Sequence, residues 1–148
     1  MNFSKRSRYG IRALIDLAVN SRQTCVQLSD IAHRNSISIK YLEQIFTALR
    51  KAGIIRSIKG PQGGYLLACR PEEIRIANVI ETLDGSYLLD AEETNADGKG
   101  EAAAAAVQNV MIEPMNTLVY RFLNELTLQD FVESFEEYNR SQQHMYYI

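Results

Sequence analysis

Apolar residues recur at helical spacing in the first third of the chain and predict three helices. A first helix is expected from about residue 4 to 20, because one of its faces is apolar. Ser29 is expected to cap a short second helix in DIAHRN, and Ser38 a longer third helix that ends at Gly53. The apolar faces of the first and third helices are Ile11, Leu14, Ile15 and Ala18, and Leu42, Ile45, Phe46 and Leu49.

The stretch IIRSIKGPQGGYLLA after Gly53 predicts a β-hairpin. Two β-favouring runs flank GPQGG, in which proline fixes φ and the glycines permit positive φ. Three helices followed by a hairpin predict a mainly α-helical fold with a small β-hairpin, a winged helix-turn-helix. We expect this domain to occupy residues 1–85.

The second half predicts two further helices, over residues 102–126 and from Thr127 onward. Pro114 should kink the first of them or break it in two, because proline in a helix interior costs about 3 kcal/mol. The apolar positions are Val107, Val110, Met111, Leu118, Phe122 and Leu126 in the first helix, and Phe131, Val132 and Phe135 in the second. Residues 102–148 are therefore expected to form dimerisation helices and a tail, although a helix packed on its own domain would show the same pattern.

Charge divides the chain more sharply than its net value of −2 suggests. Residues 1–70 contain 12 Lys and Arg against 3 Asp and Glu, whereas residues 71–148 contain 4 against 15. A strongly basic module is typical of a protein that neutralises phosphates, and a merely solvated surface is the alternative. The sequence has no apolar run of about 18 residues and no signal-peptide pattern at its start, so no membrane contact and a cytoplasmic location are expected.

Twelve residues of the basic half are candidates for contact with double-stranded DNA. The first turn of a recognition helix presents side chains to base edges, and a wing reaches phosphates or the minor groove. Gln44 can pair with adenine and Glu43 can accept from cytosine, while hydroxyls suit phosphates or bases. The candidates are Ser38, Lys40, Tyr41, Glu43 and Gln44 on the third helix, Lys59, Pro61 and Gln62 at the wing, and Arg6, Ser7, Arg8 and Tyr9 on the first helix.

Motifs of enzymes are missing from the sequence. It has no nucleophile elbow, no Walker loop and no HExxH, and GPQGGY lies in a hairpin without the strand-to-helix setting of a dinucleotide fingerprint. We therefore expect no enzymatic activity. A winged helix that serves only as a protein-interaction module remains the alternative from another class.

Several blocks of the chain resemble the Rrf-type winged-helix transcription regulators. They are SKRSRYG, LSDIAHRNSISIKYLEQIF, LRKAGIIRSIKGPQGGYLLA and PEEIRIANVIETLDG, of which YLEQ and GPxGGY are the most specific. The resemblance implies a homodimer on a palindromic operator, with Ser38, Tyr41, Glu43 and Gln44 in the groove and Lys59 with Pro61 at the wing. The family includes iron–sulfur cluster regulators of cluster biogenesis, which this chain resembles most, and a cysteine-metabolism repressor.

The loop over residues 86–101 corresponds to the segment that carries three cysteines in the cluster-binding members. Here Ala91, Ala96 and Ala102 stand at similar spacing, and alanine offers no donor to iron. The resemblance implies that a cysteine-bearing form holds a cluster, most simply 2Fe–2S, and that this chain is an apo form with a loose loop. A natural alanine-rich helix start is the alternative for residues 102–106.

The C-terminal stretch NRSQQHMYYI ends in apolar residues. A purely solvated tail would not need them, although chain ends are usually disordered and a disordered tail is the alternative. The cysteine-metabolism repressor has a similar ending, and cysteine synthase accepts the C-terminal isoleucine of a partner in its active site. A repressor that binds cysteine synthase through Ile148 is therefore the second functional hypothesis.

Overall fold

The computed structural model describes residue 1 and residues 3–146. In this part of the chain, α-helices and a two-stranded antiparallel sheet follow one another in the order helix-turn-helix, hairpin, then helices. The elements are α1 Lys5–Asn20, α2 Leu28–Asn35, α3 Ile39–Lys51, β1 Ile55–Ile58, β2 Gly64–Leu67, a 3₁₀ turn Pro71–Glu73, α4 Ile76–Asp84, α5 Glu101–Val107, a π-helical turn Gln108–Ile112, α6 Glu113–Glu125 and α7 Leu128–Tyr146. The structure confirms the predicted fold class.

The caps of the helix-turn-helix agree with the sequence for α3 but not for α2. Ser38 precedes α3, and its hydroxyl accepts from the Tyr41 amide at 3.2 Å. The expected cap of α2 was wrong, since Ser29 lies inside the helix and Gln27 precedes it without a side-chain cap. Helix α2 begins earlier because it can then bury Ile31 and Ala32, and this packing outweighs the preference of serine for the cap position.

A buried carboxylate fixes the angle between α1 and α2. Asp16 of α1 accepts two hydrogen bonds from Arg34, at 2.9 and 2.7 Å, and one from Asn35 at 3.0 Å. The hydrogen bond to Asp16 raises the pKa of Arg34, so the pair stays charged. Ser36, in the left-handed conformation, then ends α2 and leads into the turn before α3.

The wing is anchored to the helical body at its base. Ile55 pairs with Leu67 and Ile58 with Gly64, and Tyr65 also bridges to Val26, with amide–carbonyl distances of 2.8 and 3.0 Å. A Cβ atom at Gly64 would lie 2.5 Å from the Val26 carbonyl oxygen, so only glycine permits this approach. The hairpin therefore stands at a fixed position beside α3.

The helix after the loop is continuous across Pro114. Helix α5, the π-helical turn and α6 follow without a break from Glu101 to Glu125, and we call these residues the long helix. The prediction that proline would break the helix in two was wrong. In the π-helical turn Glu113 donates to the carbonyl of Gln108, five residues earlier, and this wider turn gives the proline ring room beside the preceding carbonyls.

Two adjoining hydrophobic clusters hold the elements together. The larger contains residues of α1, α2, α3, the wing and α4, and also Leu128 and Val132 of α7. The smaller joins α4 to the end of α6 through Ile76, Ile80 and Leu123. Helix α7 thus packs on the helix-turn-helix, and the division of the chain at residues 85 and 101 stays a prediction. Within residues 1 and 3–146, none of the helices combines the length and apolar character needed to cross a membrane.

Candidate nucleic-acid interface

The first turns of α3 present polar side chains to solvent. Ser38, Lys40, Glu43 and Gln44 are exposed, while Leu42 and Ile45 on the opposite face are buried in the core. The exposed side chains lie next to the N-terminus of α3, where an inserted helix meets base edges. The fold thus brings together four of the five residues predicted on this helix as an exposed surface.

Tyr41 has a different environment, because its ring packs against α1. The rings of Tyr41 and Tyr9 meet edge to face with centroids 6.0 Å apart, and the Arg12 guanidinium lies 5.3 Å from the centre of the Tyr9 ring. Arg12 also donates to the carbonyl of Asn35 at 2.7 Å, at the end of α2. These contacts tie α1, α2 and α3 together, so both tyrosines are half-buried and contribute to packing as well as to the surface.

The wing tip carries Lys59, Pro61 and Gln62, all exposed. The tip turns at Gly60, which has a φ of +113°, and at Gly63, where a Cβ atom would lie 2.2 Å from the Ile58 carbonyl oxygen. The thiol of Cys25 donates to the Gln62 carbonyl at 3.1 Å and joins the tip to the segment before α2. The three predicted wing residues therefore project from a tip whose backbone is held in place.

The first turn of α1 divides its four candidates. Arg8 is exposed, and Arg6 and Tyr9 are half-buried. Ser7 is only 1% exposed, so the expectation that it contacts phosphate does not fit its position. The reason is that Ser7 lies on the inward face of α1, where helix periodicity places it with Gly10 and Leu14.

Three amide side chains of the long helix hold the loop that follows α4, and we call them the amide ladder. Asn116 accepts from the Leu89 amide at 2.8 Å and donates to the Leu89 carbonyl at 3.0 Å. Gln108 accepts from the Glu92 amide at 2.8 Å, and Asn124 donates to the Tyr87 hydroxyl at 3.0 Å. Burial raises the pKa of Tyr87, and the hydrogen bond from Asn124 opposes that rise. These hydrogen bonds hold residues 87–92 against the long helix, and the expectation of a loose segment over residues 90–102 stays a prediction.

The three alanines at the inferred cluster-ligand positions are exposed. Ala91 and Ala96 lie in an exposed segment outside helices and strands, and Ala102 lies in the first turn of α5. The cysteines of the chain lie elsewhere, since Cys25 touches the wing tip and Cys69 follows β2. Among the residues that the structure describes, no three His, Cys, Asp or Glu side chains form a group that could hold a metal ion. These residues do not fit an iron–sulfur cluster.

An apolar face of the long helix is open to solvent. Val110 is 78% exposed, Leu118 66% and Phe122 62%. Ile112 and Leu123, on the opposite side, are buried against the rest of the chain. Several large apolar side chains exposed along one helix are a common mark of a protein–protein interface.

Two polar features were missed by the sequence analysis. The Asp16 cluster had a local signal, an acid inside the apolar run LIDLAV, which a buried hydrogen-bonded carboxylate explains. The amide ladder had only the recurrence of amides at residues 108, 116 and 124, which does not match a regular helical face. Neither feature could be assigned a partner before the fold was known.

A helix-turn-helix with an anchored two-stranded wing defines the protein as a winged helix-turn-helix protein. The chain belongs to the Rrf2 family: a family model described as "Iron-dependent Transcriptional regulator" matches residues 3–134. It is a DNA-binding transcription regulator, and its relatives are named as regulators and not as enzymes.

Individual relatives include both iron–sulfur and cysteine regulators. The transcriptional regulator IscR of Vibrio campbellii is 35% identical over 92% of this chain and 80% of its own length. The structure of IscR from T. potens has a TM-score of 0.66 at 33% identity and covers 99% of this chain and 96% of that one. The structure of CymR, the global cysteine regulator of B. subtilis, has a TM-score of 0.75 at 30% identity and covers 90% and 98%.

Proposed function

We propose that the protein binds a palindromic DNA operator as a homodimer, reads base sequence with α3, and works without a cluster in its loop. The observation that carries this proposal is the exposed row of Ser38, Lys40, Glu43 and Gln44 beside the exposed wing tip. This surface belongs to the half of the chain with 12 Lys and Arg against 3 Asp and Glu. Phosphates would attract the surface, and the polar row would select the sequence.

The dimer is supported by the open apolar face of the long helix. A palindromic operator needs two recognition helices about one DNA turn apart, which one chain cannot provide. Val110, Leu118 and Phe122 are too exposed in a single chain for their size and would be buried against a second copy. In this arrangement residues 1–85 bind DNA, residues 86–101 form the loop, and residues 102–148 contain the dimer contacts, which lie on the long helix because α7 packs on the helix-turn-helix.

A salt titration tests DNA binding and separates it from the interaction-module hypothesis. Affinity for an operator, selected from random duplexes by the protein itself, should fall by about 10³-fold or more between about 50 and about 200 mM salt. Fluorescence anisotropy on a labelled duplex measures this. Weak duplex binding at every salt concentration would reject the proposal and favour a module that binds proteins.

Glu43 offers a test of selectivity at the same surface. It is an exposed acid in the first turns of α3, where it can accept from cytosine and repel bases without that donor. Glu43→Ala should broaden the set of selected sequences, because a repulsive contact is removed. Selection of the same operator by the variant would limit Glu43 to a solvated role.

Iron–sulfur sensing is proposed only for a cysteine-bearing form. With cysteines at 91, 96 and 102 the loop would supply thiolates to a cluster, most simply 2Fe–2S, and such a form would control cluster biogenesis genes. The similarity to IscR proteins supports this extension. The triple change Ala91→Cys, Ala96→Cys and Ala102→Cys, reconstituted with iron and sulfide, should give sulfur-to-iron charge-transfer absorption. A colourless product would reject the extension but leave DNA binding untouched.

The similarity to CymR supports a second candidate, a cysteine-metabolism repressor. Its contact with cysteine synthase would run through Ile148, which lies outside the described residues. Removal of Ile148 should then abolish binding to cysteine synthase in calorimetry while operator affinity stays unchanged. Absence of binding by the full chain would exclude this candidate.

A further inference from the structure

A carboxylate from α4 caps the first turn of α1. Asp84 Oδ2 accepts from the Ser4 amide at 3.0 Å, and Asp84 Oδ1 accepts from the Ser4 hydroxyl. The Ser4 hydroxyl in turn accepts from the Ser7 amide at 3.4 Å, which is a long and weak bond for a cap. The start of α1 is therefore held mainly by a residue 80 positions away in the sequence.

Core packing also joins α1 and α4 next to this cap. A Cβ atom at Gly10 would lie 2.4 Å from Leu83 Cδ1 of α4 and 3.4 Å from Ile45 Cγ2 of α3, so both helices pack on α1 at this glycine. The chain turns away immediately after Asp84, at Gly85, whose φ is +81°. Asp84 thus sits at the end of a helix whose own position is set by the core.

The surroundings of Asp84 favour its ionised form in the folded protein. Burial raises its pKa, but the hydrogen bonds from Ser4, the nearby Ser7 hydroxyl and the charge of Arg6 outweigh this, and the net pKa lies below its ordinary value. Ser7 Oγ has no hydrogen-bond partner of normal geometry in the described residues, so we attribute the effect chiefly to Ser4 and Arg6. A carboxylate at a helix N-terminus also interacts favourably with the helix dipole.

The negative charge of Asp84 lies close to two arginines that are candidates for binding DNA. Arg6 and Arg8 lie in the first turn of α1, beside the Ser4 cap that Asp84 holds, and both are candidates for phosphate contact. A negative charge beside them would weaken the attraction to DNA unless it served another purpose. Building on the function proposed above, we propose that Asp84 is a positioning residue for DNA binding, which fixes the first turn of α1 so that Arg6 and Arg8 meet the phosphate backbone together.

The variant Asp84→Asn tests the proposal, because the two explanations predict opposite changes in DNA affinity. Loss of a negative charge alone should leave DNA affinity unchanged or raise it, whereas loss of positioning should lower it, by about 5-fold for a weakened cap. The slope of log affinity against log salt should also become shallower by about 1, as expected when one phosphate contact is lost. Glu81→Gln is the matched control, because Glu81 is exposed on the same helix and carries the same charge.

A second pair of variants leaves Asp84 in place. Ser4→Thr keeps the hydroxyl and should retain wild-type affinity and salt slope, whereas Ser4→Ala should reproduce the loss. The ratio of affinities for the selected operator and a scrambled duplex should stay constant in all variants, because α3 is untouched. Circular dichroism confirms that each variant is folded.

The outcomes separate this proposal from the function on which it rests. If wild type binds DNA and Asp84→Asn binds as tightly with the same salt slope, Asp84 is not a positioning residue, while the proposed function stands. Equal affinities of Ser4→Ala and Ser4→Thr would overturn the proposal in the same way. If wild type itself fails to bind a duplex at low salt, the proposed function fails and the inference with it.

Discussion

The proposed DNA-binding region, residues 1–85, and the long helix differ in how their side chains are packed. In the first, the core is closed within one chain, and polar residues such as Gln44 stand on its surface. In the second, only one side is packed, and apolar residues such as Leu118 face solvent. The first region, with Leu128 and Val132 of α7 completing its core, is closed within one chain, whereas the long helix is suited to a partner. Changes in the long helix should therefore act through dimer stability, and changes in the first region through the stability of the single chain or its direct contacts with DNA.

The largest effect is expected from charges placed on the long helix. Leu118→Glu combined with Phe122→Glu should cost about 3 kcal/mol or more of dimer stability, because both would be central apolar contacts. Sedimentation should then show a monomer, and operator affinity should fall about 100-fold or more as one half-site is lost. Thr117→Glu, an exposed neighbour, is the control. A dimer that survives the double change would place the interface elsewhere.

Removal of the Asp16 carboxylate should destabilise the helix-turn-helix itself. Asp16→Ala leaves the Arg34 guanidinium without its carboxylate and removes one of the two acceptors of the Asn35 amide, at a cost of about 2–3 kcal/mol, reduced from a fully buried pair because Arg34 is partly exposed. Urea denaturation measures the free energy of unfolding. Asp30→Ala, an exposed acid of α2, should change it little. Equal effects of the two changes would contradict a structural role for Asp16.

Within the first region, changes to residues that read bases and changes to residues that contact phosphates should affect DNA binding differently. Gln44→Ala should cost about 1–3 kcal/mol at one base-pair position and relax the preference there, whereas Arg8→Ala should weaken all duplexes alike. Binding to a series of single-base operator variants distinguishes the two patterns. A uniform loss from both changes would show that α3 does not read bases.

The smallest effect is expected at the amide ladder. Asn116→Ala removes both hydrogen bonds to Leu89 and should cost about 1 kcal/mol of local stability. Hydrogen exchange at residues 87–92 should accelerate, while exchange in α1 and α3 stays constant. Asn109→Ala, exposed on the same helix, is the control. Unchanged exchange after Asn116→Ala would mean that other contacts hold the loop.

Local patterns were sufficient for the elements but not for the contacts between them. The Ser38 cap, the stop at Gly53 and the GPQGG wing could all be predicted, because each depends on a few adjacent residues. The start of α2 could not, since burial of Ile31 and Ala32 competes there with a cap preference worth about 1 kcal/mol. The joint between Ser4 and Asp84 is a contact across 80 residues and leaves no local trace.

In the candidate site, too, local patterns predict which residues are exposed on a helix but not which distant residues contact each other. The exposed polar row of α3 follows from helix periodicity, which also explains why Ser7 points inward once the packing of α1 is known. The alanine loop could be recognised as unable to bind iron from composition alone. That residues 87–92 are held by side chains of the long helix depends on the fold and could not be predicted from the residues of the loop itself.

The π-helical turn sets the rotational phase of the amide ladder. Eight residues of regular α-helix turn through about 800°, which leaves their ends about 80° apart around the axis. A π-helical turn holds one extra residue, so eight residues that include it rotate about as far as seven residues of regular α-helix. Their ends then differ by only about 20° around the axis. Gln108 and Asn116 are separated by this turn, and both reach backbone groups of the loop. Asn124 lies eight residues further along regular helix and reaches the Tyr87 hydroxyl instead. The π-helical turn before Pro114 thereby determines which residues of the loop can form hydrogen bonds with the long helix.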